Sequence, residues 1–318
     1  MKYLKILAAS VLMCAFSLTS CDSYFEVELD DQANLDDVFS QSNTVHSYLR
    51  HIYSYIPLEE EIVGSAGAWA VARSDEATYS NYQWVYYNLY RTGNYSSSTP
   101  NGLANFGFWD RFYIAINQCT IFLNNIDKDK QDDPKEIEMM KAEARFLRAY
   151  CYWIALDVFG DVPFTTETSP FGGGVNPKQA SRKDVFDYCI SELTDLASDE
   201  SAMPAARSNY PRADKGAVNG LLARMYLHAE VYAGTPLWTE AKSACEAIFG
   251  MGYSLCPEYS DLFRGDNGEN ADALKEIIFG VAYDAEQTQS YGGTSYLTLA
   301  AIAATDVTAE QKINGVNN

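Results

Sequence analysis

Residues Asp133 to Pro163 read D-P-K-E-I-E-M-M-K-A-E-A-R-F-L-R-A-Y-C-Y-W-I-A-L-D-V-F-G-D-V-P, and this pattern predicts one long helix with both ends marked. Asp133 caps the first turn, Pro134 suits the first helical position, and Glu136 completes a reciprocal capping box. Gly160 can leave the helix with positive φ, and Pro163 prevents its continuation. Three- and four-residue spacing puts one set of side chains on a single face: Ala142, Phe146, Ala149, Tyr150, Trp153 and Ile154. A face this aromatic has to pack against other helices.

Five more segments carry helical periodicity or capping signals. Ser181-Arg182-Lys183-Asp184 is a second capping box, and Ala217, Leu221, Met225 and Ala229 follow at four-residue spacing. We expect Phe186, Ile190, Leu193 and Ala197 on one side of the helix after that capping box. The predicted helices are Ser42–Ile56, Phe108–Ile126, Ser181–Ala197, Ala213–Tyr232 and Thr239–Phe249. Consecutive helices of this kind, joined by loops, form helix-turn-helix pairs, and each pair buries its apolar face only against the next pair. The sequence therefore predicts a mainly α fold: a tetratricopeptide-like helical repeat, an α-α superhelix, with long irregular loops. The repeat period is irregular.

The first 40 residues predict export and anchorage. Residues 1–20 combine a basic start with an apolar run that is too short to span a bilayer, as in a secretory signal. They end in Leu18-Thr19-Ser20-Cys21, which resembles a bacterial lipobox, so we expect a lipid on Cys21; an ordinary signal followed by a chance cysteine is the alternative. Residues 21–40 are acidic and read as a tether. The expected state is a protein held to the membrane by its lipid anchor.

Composition excludes several classes of partner. The net charge of −20 argues against nucleic acid and against anionic lipid headgroups, because both attract basic surfaces. Aromatic residues make up 14% of the chain, including 23 Tyr and 5 Trp. That excess suits a surface that binds neutral polar ligands, although an aromatic core would also account for much of it.

Catalytic and metal-binding patterns are weak. His46 and His51 are five residues apart, off the spacing of a zinc pair, and His228 stands alone, so structural roles are favoured. The acidic run that starts at Asp127 mimics a calcium loop, but its sixth position is Asp132 where Gly is required. We therefore predict no metal, no cofactor and no catalytic residue. The five later cysteines are interpreted as small buried hydrophobes: Cys119, Cys151, Cys189, Cys245 and Cys256. Of these, only Cys245 and Cys256 are close enough in sequence to check for a disulfide.

The long helix also carries a family resemblance. The run E-A-R-F-L-R-A-Y-C-Y-W-I-A-L-D-V-F-G-D-V-P-F resembles the signature helix of the SusD/RagB family, nutrient-binding outer-membrane lipoproteins. Further motifs follow in family order: A-R-S-D-E, F-W-D-R-F-Y-I-A-I-N-Q, Y-P-R-A-D-K-G-A-V-N-G-L-L-A-R-M-Y-L and L-F-R-G-D-N-G-E-N. The resemblance implies that residues 41–318 form a SusD-like helical domain. It also implies a lid over a SusC-like TonB-dependent outer-membrane transporter, to which the protein hands an oligosaccharide or similar nutrient at the cell exterior. Family members are longer, so the C-terminal portion of the family is expected to be missing.

Residues 64–107 break the helical pattern and supply the predicted ligand site. A segment this long without periodicity is typically functional or disordered. Its rings and amides are the groups that stack on sugar C–H faces and bond to hydroxyls: Tyr79, Asn81, Tyr82, Trp84 and Tyr86. The same rings could instead fill the core beneath the loop. From the resemblance we add Asp75 and Tyr291, whereas the long helix is expected to touch no ligand.

Two rival functions remain open at this stage. One is a helical-repeat lipoprotein that serves as a protein-interaction scaffold and binds no glycan. The other is an enzyme that acts on polysaccharide, which has no specific support because 43 carboxylates make chance acid pairs common. The favoured interpretation is a glycan-binding protein without enzymatic activity.

Overall fold

The computed structural model describes residues 35–56, 92, 108–169 and 176–282. The described residues from Phe39 onward belong to one compact unit. The helices of this part of the chain are α1 (Leu35–Phe39), α2 (Ser42–Ser54), α3 (Phe108–Asn125), α4 (Pro134–Phe159), α5 (Arg182–Ala197), α6 (Lys215–Leu227), α7 (Ala229–Ala233), α8 (Trp238–Phe249) and α9 (Ala273–Glu276). Two 3₁₀ turns, Ile126–Lys128 and Tyr259–Phe263, and two short strands, β1 (Val162–Pro163) and β2 (Gln179–Ala180), complete the elements. The mainly α prediction is confirmed.

The long helix α4 begins and ends where its sequence predicts. The Asp133 side chain accepts a hydrogen bond of 2.8 Å from the Lys135 amide, and Pro134 occupies the first turn. Gly160 takes φ 77° and donates its N–H to the Leu156 carbonyl at 3.1 Å. The reciprocal hydrogen bond predicted from Glu136 is replaced by an ion pair: the Glu136 carboxylate lies 3.6 Å from the guanidinium of Arg212, in the loop before α6.

The surface that α4 buries is wider than the predicted single face. Tyr150 and Trp153, both expected in the buried stripe, are only half-buried. Side chains on the other faces are buried instead: Met140, Glu143, Leu147, Arg148, Cys151, Tyr152, Ala155 and Leu156. The reason is that α4 contacts α3 and α5 extensively, with further contacts to α2 and α6. A helix surrounded by partners is buried on most of its circumference.

The remaining helices pack in chain order, as the repeat prediction requires. α3 packs on α4, α4 on α5, α5 on α6 and α6 on α8. Two details differ from expectation. Ile190 and Ala197 of α5 are half-buried, whereas Val185 and Cys189 are buried, because α5 packs against both α4 and α6.

The predicted helix over 213–232 divides at His228 into α6 and α7. The His228 ring nitrogen Nδ1 lies 3.0 Å from the Arg224 carbonyl oxygen. After the break, α7 contacts α5 and buries Tyr232, and Gly234 then ends it with φ 74°. The interruption therefore turns the second half of the predicted helix onto its neighbour.

The antiparallel pairing of β1 with β2, Val162 opposite Ala180, had no counterpart in the sequence prediction.

The cysteines of the described region are all free thiols. Four of them are buried, in agreement with their interpretation as small hydrophobes: Cys119, Cys151, Cys189 and Cys256. For Cys245 that interpretation is wrong, because α8 buries the face of Ala241, Ala244 and Ile248 and leaves Cys245 exposed. Within the same described region, no helix combines the length and apolarity that crossing a membrane would need.

Candidate functional site

The residues predicted to bind ligand lie outside the described part of the chain. This holds for the five residues of the irregular loop, for the two added by resemblance and for the predicted lipidation site: Tyr79, Asn81, Tyr82, Trp84, Tyr86, Asp75, Tyr291 and Cys21. They stay predictions. The described residues contain a different concave site, which sequence reasoning did not single out.

This site is a cavity of about 300 Å³ in front of the first turn of α6. Three segments form its walls: the loop that leads into α6, the turn after α8, and α9 with the residues that follow it. The lining residues are Arg207, Tyr210, Pro211, Arg212, Asp214, Tyr253, Ala271, Leu274, Ile277, Ile278 and Phe279. An apolar wall therefore faces a wall of aromatic and charged groups, the usual constitution of a small-molecule pocket. We call it the Arg207 cavity.

Asp214 organises the polar wall. It caps α6, and its Oδ1 accepts from the Gly216 and Ala217 amides at 2.8 and 3.2 Å. Its Oδ2 accepts from the Arg207 amide at 2.6 Å. Burial raises the pKa of Asp214, and the bonds from these backbone amides oppose that rise. Both carboxylate oxygens are thus engaged by the protein itself.

Arg207 has an unusual backbone conformation that this carboxylate supports. Its φ is 65°, in the left-handed region that costs a non-glycine residue about 1–2 kcal/mol. The hydrogen bond from its amide to Asp214 helps to offset that cost. The conformation brings the guanidinium over the Tyr253 ring, 5.8 Å from the centroid, where Nη1 donates to the Gly252 carbonyl. Strained backbone of this kind is often found at functional sites.

Tyr253 itself is fixed by a close approach to α6. A Cβ at Gly216 would lie 2.0 Å from the Tyr253 hydroxyl, so only glycine leaves room for the ring. The neighbouring segment is joined to α9, since Ser254 donates its amide to the Lys275 carbonyl at 3.0 Å. Burial, and secondarily the charge of Asp214, raise the pKa of Tyr253 to about 12. The hydroxyl is therefore protonated at neutral pH.

A buried ionic network supports the cavity from behind. Arg212 contacts the fully buried Glu143 of α4 through two nitrogens, at 2.6 and 3.0 Å. Glu143 also accepts a hydrogen bond of 2.7 Å from the Tyr53 hydroxyl of α2, which in turn accepts from the Ala213 amide at 2.8 Å. Burial raises the pKa of Glu143, and the bonds from Arg212 and Tyr53 limit the rise. The network ties α2 and α4 to the loop before α6.

A second concave region, of about 520 Å³, lies between the start of α4 and the segment after α5. Both cations that line it are paired with carboxylates. Lys141 lies 2.7 Å from both Asp127 and Glu138, and Arg145 lies 2.8 Å from Asp195. Although it is larger, this region offers fewer donors to a ligand.

The acidic run that mimics a calcium loop serves to close a turn. Asp129 Oδ1 accepts from the Gln131 and Asp132 amides at 2.8 and 3.3 Å. Asp132 accepts from the Ser42 hydroxyl at 2.7 Å and lies 3.1 Å from His46 Nε2. These carboxylates fasten the turn before α4 to α2. Over the described ranges, no three His, Cys, Asp or Glu side chains are grouped to hold a metal ion.

Stacked helix pairs that form a concave surface are typical of ligand-binding repeat proteins. Comparison with known proteins identifies the family to which this chain belongs. Residues 22–227 match the model of a SusD-like family described as "Starch-binding associating with outer membrane". The match covers more than half of the chain, which therefore belongs to this family. The matched span contains residues 64–107, which we call the aromatic loop, and most of the polar wall of the Arg207 cavity, but not Tyr291.

Individual relatives agree. The chain is 36% identical over 187 residues to the starch-binding protein SusD of Bacteroides thetaiotaomicron, a match that covers 59% of this chain and 32% of that protein. A SusD-like crystal structure from Bacteroides fragilis superposes with a TM-score of 0.62 at 21% identity, over 80% of this chain and 48% of that one. A laminarin-binding SusD-like protein gives a TM-score of 0.61 at 17% identity, over 72% and 49%. At such identities the two structures establish the fold alone.

The chain spans about a third to a half of the curated relatives that it matches, with coverage from 31% to 53% of their lengths. The Y-P-R-A-D motif is recognisable in the sequence as a family marker, whereas its role at the cavity is visible only in the structure. The one available signal was Asp214 near the start of the predicted helix Ala213–Tyr232, because Asp is a favoured N-cap residue.

Proposed function

We propose that this protein captures glycan at the cell surface and delivers it to a SusC-like TonB-dependent transporter. The observation that carries the proposal is membership of a family described as starch-binding and outer-membrane associated. The relative with 36% identity is itself named as starch-binding. In this proposal the protein binds and releases its ligand without covalent chemistry.

The binding surface in this proposal is the aromatic loop. Trp84, Tyr82, Tyr79 and Tyr86 would stack on the apolar faces of sugar rings, which costs little conformational entropy because each ring is rigid. Asn81 would bond to sugar hydroxyls. Asp75, from an earlier part of the same segment, and Tyr291, from near the C-terminal end of the chain, would complete the site.

Anchorage is the second part of the proposal. Processing before Cys21 would leave that cysteine to carry lipid, and the acidic residues 21–40 would hold the helical domain away from the membrane surface. More than one acyl chain is needed for durable attachment. Metabolic labelling with a tagged fatty acid should mark the wild type and leave Cys21→Ala unmarked and released from the membrane. Equal labelling of both forms would refute lipidation at this site.

The test of ligand capture is a titration of the purified chain against neutral oligosaccharides, with starch and laminarin fragments included. We expect Trp84→Ala to lose affinity by about tenfold or more, since a well-placed ring contributes about 0.5–1.5 kcal/mol in addition to the apolar area that it buries. Trp238→Ala is the matched control, because Trp238 lies on α8 and is 61% exposed. Equal losses in the two variants would contradict the assignment.

The scaffold alternative makes a different prediction. A chain that binds no glycan and still associates with the transporter would favour a scaffold role. Time-dependent release of reducing ends, abolished by replacement of one carboxylate, would overturn the proposal that the protein lacks catalysis.

A further inference from the structure

The Arg207 cavity differs from the predicted ligand loop in the groups it offers. Its carboxylates are engaged by protein donors: Asp214 by three backbone amides, and Glu143 behind it by Arg212 and Tyr53. What remains for a ligand on the polar wall is the guanidinium of Arg207, which only donates, and the hydroxyls of Tyr210 and Tyr253, which donate or accept. The charged group that a ligand meets is therefore a hydrogen-bond donor.

Arg207 is the strongest of those donors. One of its nitrogens, Nη1, donates to the Gly252 carbonyl, while Nε and Nη2 have no hydrogen-bond partner within the described ranges. In the same ranges Arg207 forms no ion pair, unlike Arg212, Arg145 and Arg148. A guanidinium that keeps two parallel donors is the geometry that binds a carboxylate in bidentate fashion.

The position of Arg207 is imposed by the fold. Its left-handed backbone is tied to Asp214, and its guanidinium lies over Tyr253, which Gly216 alone admits. Although Arg207 is an exposed residue, these contacts restrict both its backbone and its side chain. The side chain therefore loses little freedom on binding, and such preorganisation favours affinity.

The opposite wall suits the body of a small ring. Phe279 packs edge-on against Phe146 at 5.3 Å and against Tyr150 at 5.8 Å, so α4 holds it in place. Leu274 and Ile277 extend this wall, and the 39% exposed Tyr210 stands on the polar side. At about 300 Å³ the cavity is at the lower end of ligand-pocket volumes, which limits the occupant to about one sugar ring.

We infer that the Arg207 cavity binds a carboxylate-bearing sugar residue, a hexuronate, with its carboxylate on Arg207 and its ring against Phe279 and Tyr210. The residue is either a free monosaccharide or the end of an acidic oligosaccharide. The inference rests on the proposed function only in that the ligand is a sugar. It adds an acidic-sugar site that is separate in sequence from Trp84.

The experiment titrates the full chain with D-galacturonate, trigalacturonate and D-glucose by ligand-observed NMR and calorimetry. Wild type should bind both acidic ligands and bind glucose about tenfold more weakly or not at all, since only the carboxylate engages the guanidinium. Tighter binding of trigalacturonate than of the monosaccharide identifies a chain end as the preferred source. Equal binding of galacturonate and glucose, or no binding of either acid, overturns the inference.

Variants separate the cavity from general electrostatics. Arg207→Gln should weaken galacturonate binding by about tenfold or more, and Arg207→Lys should weaken it less because the charge remains without the fork. Arg264→Gln is the matched control, as Arg264 is 63% exposed and lies close to Asp261 and Asp266. An equal loss in Arg264→Gln would overturn the inference.

Two further variants keep the test decisive. Phe279→Ala removes the apolar wall without touching Arg207 and should also weaken galacturonate binding; full retention would contradict the assigned pose. Trp84→Ala should leave galacturonate binding intact while neutral-glycan binding falls. Uronate binding in a chain with no affinity for neutral glycan would refute neutral-glycan capture by residues 64–107 and leave this inference standing. Neutral-glycan binding without uronate binding would overturn this inference and leave the proposed function standing.

Discussion

Two concave regions in the described part of this helical array differ in how their charged side chains are paired. In the region of about 520 Å³, cations and anions pair directly with each other, as Lys141 does with Asp127 and Arg145 with Asp195. In the Arg207 cavity, of about 300 Å³, the anions are engaged by the protein and an arginine keeps free donors. Volume alone would favour the larger region as the ligand site. The availability of unpaired polar groups favours the smaller one.

The largest effect should come from the network behind the Arg207 cavity. Glu143→Ala leaves Arg212 and the Tyr53 hydroxyl without their buried partner, and breaking such a pair costs about 3 kcal/mol. Urea unfolding followed by circular dichroism measures the free energy of unfolding. Glu138→Ala, on the exposed side of α4, should change it by less than about 0.5 kcal/mol. Equal effects would show that the network does not stabilise the cavity.

The next effect comes from Gly216, against which Tyr253 of the cavity wall packs. Gly216→Ala forces the Tyr253 ring to move and should lower the free energy of unfolding by about 2 kcal/mol. Tyr253→Phe in the same chain should recover part of this loss, because the hydroxyl is the atom closest to the new methyl group. Gly220→Ala is the control in the same helix: its methyl meets only Ile278 at 3.5 Å, so helix propensity should raise stability by up to about 1 kcal/mol. Two destabilising alanines would contradict the close approach.

Two N-caps should differ in strength because one of them also builds the cavity. Ser181→Ala removes a cap from α5 and should cost about 1 kcal/mol. Asp214→Ala removes a cap from α6 together with the bond to the Arg207 amide, and should cost about 2 kcal/mol. Parallel thermal melts compare the two. A smaller loss for Asp214→Ala than for Ser181→Ala would argue against its organising role.

The smallest effect belongs to the larger, internally paired region. Arg145→Gln breaks the contacts with Glu192 and Asp195, which are partly exposed, so we expect a cost of about 1 kcal/mol. Galacturonate affinity should stay unchanged, in contrast to Arg207→Gln. Reduced uronate binding in Arg145→Gln would mean that the acidic ligand occupies the larger region.

Sequence periodicity predicted the helical array well because local signals mark its elements. Asp133, Ser181, Gly160 and Gly234 cap or end helices through bonds to nearby residues, and such signals are readable in one sequence. Burial was harder to predict. The aromatic stripe of α4 is only one side of a helix that is covered almost all round, and the break at His228 depends on contact with α5.

The Arg207 cavity could not be predicted from the sequence for a similar reason. Its walls come from three segments that lie about 20 to 70 residues apart in the chain, and neither the φ of Arg207 nor the room beside Gly216 leaves a periodic trace. The aromatic loop shows the converse. Its composition predicts a glycan site around Trp84, but composition does not assign individual rings to ligand or core.

The most direct test of the account is a calorimetric titration of the purified chain with neutral oligosaccharides, compared across wild type, Trp84→Ala and Arg207→Gln. Glycan capture by the aromatic loop predicts binding by wild type and by Arg207→Gln and its loss in Trp84→Ala. Absence of binding to every neutral glycan by a cooperatively folded wild type, or undiminished binding by Trp84→Ala, would contradict it.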